Sequence, residues 1–129
     1  MAFITPTQFL RLYDGRVLRE NLSDTGVPIV GSLDANDNLL DALSMASEVV
    51  AAAALVGERY SMADLDALAV SATVGFLLRR ITADIAFAMI VARRGRAAAD
   101  IDRLAPARNW AEQQLDLLRS GTHLFPGTE

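Results

Sequence analysis

Apolar and polar positions along the chain alternate with a helical period almost throughout. The clearest stretch is residues 65–94, where Val70, Val74, Leu77, Ile81, Ala88 and Val91 recur at 3.6-residue spacing. Leu68, Phe76, Leu78, Ile85, Phe87, Met89 and Ile90 fill most of the remaining circumference. There is no proline in it, and its single glycine, Gly75, costs about 1 kcal/mol in a helix interior. The pattern predicts one uninterrupted helix on the order of 40 Å long, apolar nearly all round and therefore covered on several sides. Arg80 and Asp84 stand at i, i+4 and are expected to pair on a solvated face, worth about 0.3–0.5 kcal/mol. Arg79, Arg80 and Asp84 divide the stretch into apolar runs shorter than the ~18 residues that a membrane span needs. Arg93, Arg94 and Arg96, around Gly95, complement the carboxyl end of the helix dipole.

Upstream, Thr5-Pro6 is a helix start, with Thr5 as N-cap and Pro6 at the first helical position, where a missing N–H costs nothing. That helix carries Phe9, Leu10, Leu12 and Tyr13 and stops near Asp14-Gly15. Residues 16–22 predict another turn or two, with Val17, Leu18 and Leu22 inward. A linker over residues 23–28 follows and leads through Ile29-Val30-Gly31, with room for a short extended segment. From about Asn38 to Gly57 a second main helix presents Leu39, Leu40, Leu43, Ala46, Val49, Val50, Ala53 and Ala54 on a broad face. Its run of alanines, residues 51–54, lets a neighbouring helix come close. Gly57 reads as its C-terminal stop, and Ser61, three residues before Asp64, as a capping signal for the long helix.

After Gly95 the pattern restarts over residues 97–104, is interrupted at Pro106, and resumes from about Ala107 to Ser120. Trp110, Leu115, Leu117 and Leu118 supply apolar contacts there, with Glu112, Gln113, Asp116 and Arg119 toward water. Gly121 ends the helix. The expected fold class is all-α: a small helical bundle with one long central helix, a helical domain over residues 1–121 and an extended C-terminal tail over residues 122–129. The tail carries Leu124 and Phe125, which are either tied back onto the domain or docked on another subunit.

Composition narrows the function classes. An apolar fraction of 52% over 129 residues excludes a disordered chain. Cysteine is absent, which removes disulfides and thiolate metal sites. All 12 basic residues are arginine, and with 16 acids the net charge of −4 argues against ordinary electrostatic nucleic-acid binding. The opening residues have no charged segment followed by an apolar run, so no secretory signal is expected, and the expected address is cytoplasmic or within a particle assembled there.

Candidate chemistry is sparse. Asp34, Asn36 and Asn38 take alternate positions of a calcium loop, but Leu39 stands where the sharp turn needs glycine and Met45 where a bidentate glutamate belongs. N-capping of the following helix by an Asp or Asn accounts for the same residues. A nucleophile–base arrangement would depend on His123, the one histidine. Asp64 with Asp66, and Asp100 with Asp102, are two apart and point in different directions on a helix. The arginine cluster at 93–96 follows a helix, whereas a DNA-reading helix would begin with one. Trp110 has core spacing with Leu117. No catalytic residue, cofactor or metal is expected, and the residues themselves point to an interaction module.

One arrangement is more specific. Thr5-Pro6 opens a short helix, and an Ala-rich helix runs from Asn38-Leu39-Leu40 through Ala46-Ser47-Glu48 to Gly57-Glu58-Arg59-Tyr60. A long helix then carries Asp84-Ile85-Ala86 into Arg93-Arg94-Gly95, and a last one leads into residues 121–125. Over nearly its whole length the chain resembles the head-tail connector, or adaptor, proteins of tailed bacteriophages, in particular the small family of Mu-like phages. Gly57 to Tyr60 after an Ala-rich helix is the most specific piece. Related proteins often carry prolines soon after this segment, whereas here Ser61-Met62-Ala63-Asp64-Leu65 runs straight into helix.

The resemblance implies a structural virion protein, not an enzyme. It implies a homo-oligomeric ring, commonly of twelve copies, between the portal protein and the tail or tail-terminator protein, assembled in the host cytoplasm. Double-stranded DNA would pass through the channel without sequence-specific binding, and no membrane is involved. Leu124, Phe125, Arg93, Arg94 and Arg96 are the candidate partner interface. A different class accounts for the same helices: a cytoplasmic helical regulatory or antitoxin-like protein-binding module acting as monomer or dimer. A third option is an enzyme whose site is assembled between subunits from Asp, Glu and Arg.

Overall fold

Local capping chemistry sets where the helices begin. The computed structural model describes residues 2–13, 15–25, 27–92, 98–122, 124 and 125, with the side chains of 98–105 and 107 excepted. Among them are six α-helices and no strand: α1 (Pro6–Leu10), α2 (Gly15–Leu22), α3 (Asp37–Gly57), α4 (Met62–Val70), α5 (Phe76–Ala92) and α6 (Ala98–Arg119). Thr5 caps α1 in a reciprocal box with Gln8, and Ser61 caps α4 in the same way with Asp64. Asn36 caps α3, its side chain accepting from the Leu39 N–H at 3.0 Å. Of the residues that looked like the start of a calcium loop, Asn36 is thus the helix cap.

α3 is the long central helix of the bundle. It packs against α1, α4, α5 and α6, while α5 also meets α2, α4 and α6. Leu39, Leu43, Ala46, Val50, Ala53 and Ala54 of α3 are buried against Leu78, Ile81, Ala86 and Ile90 of α5 and Ala111, Leu115 and Leu118 of α6 within one apolar core. Leu117 points outward instead, while Trp110 is half-buried against the core. Ser47 ties down the amino end: its hydroxyl accepts from the Phe3 N–H at 2.9 Å and donates to the Leu43 carbonyl at 2.8 Å. The Asn38 amide likewise bonds the Leu22 carbonyl at 2.9 Å, fastening the end of α2 to the start of α3. α3 is also, among the described residues, the one helix long and apolar enough to cross a bilayer.

The single long helix expected over residues 65–94 is two helices. α4 ends at Val70, the chain turns through residues 71–75, and α5 starts at Phe76. The turn follows from side-chain chemistry that the apolar pattern hides. Ser71, extended at φ −75° and ψ 128°, accepts the Thr73 and Val74 N–H groups on its hydroxyl at 3.3 and 3.2 Å. Such bonds offer the backbone an alternative to the helix ladder. Arg79 then reaches back across Gly75 to donate to the carbonyls of Ala69 and Ser71 at 3.2 and 2.7 Å, meeting acceptors that a helix end leaves open. A Cβ on Gly75 would lie 2.0 Å from the Leu68 carbonyl oxygen and 2.5 Å from the Arg79 guanidinium. Gly75 is therefore the opening through which the corner closes.

One other expectation is corrected. Pro106 lies inside α6 and does not divide it; proline removes one bond from the ladder, and the helix continues past an exposed Pro106. α3 ends at Gly57 as expected, and the left-handed conformation that follows falls on Glu58 at φ 60°. Gly57 serves proximity: a Cβ there would meet the Leu118 carbonyl oxygen at 1.8 Å and the Gly121 nitrogen at 2.9 Å. Gly121, at φ 79°, closes α6 in a Schellman turn, with Gly121 N–H to Leu118 and Thr122 N–H to Leu117, both at 3.1 Å.

Gly75→Ala separates the two readings of residues 65–94 by sign. In an unbroken helix it would add about 1 kcal/mol of stability. At a corner where Cβ meets backbone, it is expected to destabilise by more than about 2 kcal/mol, measured by chemical denaturation.

Candidate functional site

The carboxyl end of the described chain is where sequence reasoning placed the first two interface residues. Gly57 brings the end of α3 against the end of α6, and three residues on, Tyr60 is buried. Its phenolic oxygen accepts two successive backbone N–H groups, those of Leu124 and Phe125, each at 2.8 Å. The Phe125 ring is fully buried, 5.0 Å from the Tyr60 ring centroid at a tilt of 53°, within the favoured range for aromatic pairs. Leu124 is half-buried against the same core. As far as Phe125, then, the tail is tied back onto its own domain, and neither residue is a free docking surface in this structure. Arg93, Arg94, Arg96 and His123 lie outside the described residues. Tyr60 went unassigned in the sequence reading; its signal was its place at the end of Gly57-Glu58-Arg59-Tyr60, the segment on which the resemblance chiefly rests.

A second cluster lies where α1, α5 and the turn after α1 meet. Asp84, expected on a solvated face, is 4% exposed. Its carboxylate accepts a short hydrogen bond from the Tyr13 hydroxyl, and its other oxygen is 3.4 Å from Arg80 Nε. Asp84 thus points inward, because nearly the whole circumference of α5 is covered by other helices, while the Arg80 side chain stays partly exposed. Tyr13 stacks on Phe87, with centroids 4.2 Å apart and planes within 6°, and its ring is 4.9 Å from that of Phe9. Burial pushes the Tyr13 phenol well above its ordinary range, reinforced by the hydrogen bond to Asp84 and that residue's charge and opposed by Arg80. The phenol is held as a proton donor, and the cluster fastens the amino end to α5.

No buried side-chain polar atom lacks a partner among the described residues, and no group of three or more metal-ligating side chains forms among them. Asp64 belongs to the α4 cap and Asp66 is exposed. The exposed large apolar residues are the conspicuous surface feature. Val27 and Val30 project from the loop after α2; Met45, Leu55 and Val56 line α3; Val70 and Phe76 flank the α4–α5 corner. Exposed apolar groups collected on particular elements mark contact surfaces more than pockets for chemistry.

No family model, curated protein or solved structure matches this chain.

Two measurements test these assignments. Phe125→Ala is expected to destabilise the fold by about 3–5 kcal/mol, as for other fully buried aromatic truncations, and Tyr60→Phe by roughly 2 kcal/mol, because it strands two N–H groups; a tail free in solution would give neither loss. For Tyr13 the sign follows from a folded pKa above the unfolded value. The contribution is present below the unfolded pKa of about 10 and is lost as pH rises beyond it, since the unfolded chain loses the proton first. Tyr13→Phe should lower stability at neutral pH by about 2 kcal/mol and flatten the fall above about pH 10, read from denaturation midpoints across pH 7–11.

Proposed function

We propose that this chain is a structural adaptor of a tailed phage. Copies of it form a ring between the portal protein and the tail or tail-terminator protein, and double-stranded DNA passes along the ring's channel without being read in sequence. In this reading the protein is a virion component assembled in the host cytoplasm, it catalyses nothing, and it carries no cofactor.

The observation that supports the reading most directly is the role of residues 57–60. This is the most specific part of the resemblance, and it is also where α3, α6 and the carboxyl end are joined, through Gly57 against Leu118 and through Tyr60 to Leu124 and Phe125. A short segment that organises a whole fold is more informative than one on a dispensable loop. The apolar residues exposed on α3 and at the α4–α5 corner agree with a protein that works by being covered. The net charge of −4 suits a wall that DNA slides past.

The test is the mass and rotational symmetry of the particle that carries this chain in its native source, by electron microscopy and native mass spectrometry. A ring stacked on a larger portal-like ring is the expected result. A monomer or dimer in every fraction would overturn the adaptor reading in favour of a helical regulatory or antitoxin-like module. Removal of residues 122–129 is a poor probe of assembly, because it also takes Phe125 out of the core.

A further inference from the structure

We draw no further inference here: the strongest candidate, the outward face of α3 with Met45, Leu55 and Val56 exposed along it, is an unpartnered apolar surface, and nothing in the structure shows what covers it.

Discussion

The rest of the structure depends on a place where a single Cβ has no room. Gly57 lies against the backbone of α6 so closely that any side chain would collide with the Leu118 carbonyl. That approach fixes the distance between α3 and α6 at one end. It also decides where the chain goes next, since Tyr60, three residues later, is placed to receive the two N–H groups that end the described chain. One apolar cluster then extends without a break from Leu43 and Ala46 on α3 to Phe125 beside Tyr60. The left-handed turn that leaves α3 falls on Glu58 although a glycine precedes it. Such a backbone costs about 1–2 kcal/mol for a residue with a Cβ. The chain thus tolerates strain at 58 in order to keep its glycine at 57.

Several polar groups at this core fasten one element to another, while Thr82 and Asn21 bond carbonyls of their own helices. Ser47 holds the amino end to α3, Asn38 joins α2 to α3, Tyr13 and Asp84 join the end of α1 to α5, and Arg79 joins α5 to the end of α4. Each spends its hydrogen bonds on a contact that apolar packing alone would leave imprecise. Buried polar groups with full sets of partners favour one arrangement among many that are similarly apolar. In a bundle rich in alanine, where small side chains give little register, this matters more than it would in a core of large residues.

What the sequence made legible, and what it did not, divides along the same line. Helix starts were readable because capping is local: Thr5-Pro6 and Ser61 with Asp64 act within one turn, and the cap of α3 lies within three residues of where it was placed. The all-α class followed from a 3.6-residue period that no strand signal interrupts. The break at residues 71–75 was hidden because its apolar pattern is that of a helix; the evidence for a turn lay in Ser71 and Gly75, and in an arginine eight residues beyond the carbonyl it reaches. Asp84 looked solvated because a salt-bridge spacing along one helix says nothing about how many other helices surround it. Tyr60 and Phe125, 65 residues apart, were each readable as apolar, but a pairing at that distance leaves no periodic trace.

The central helix also has a consequence for how the protein is made. α3 is apolar enough to pass for a membrane span, yet the helix that closes over it, α6, ends at Arg119, 62 residues after Gly57. At about 5–20 residues per second, a ribosome takes roughly 3–12 s to cover that interval. For those seconds the side of α3 that α6 covers lacks its partner, and Asp41, Ser44, Ser47 and Glu48 are polar interruptions along the helix. Polar and charged groups along an apolar helix disfavour its insertion into a bilayer, so these positions bear on α3 before the bundle closes as well as, for Ser47, after it.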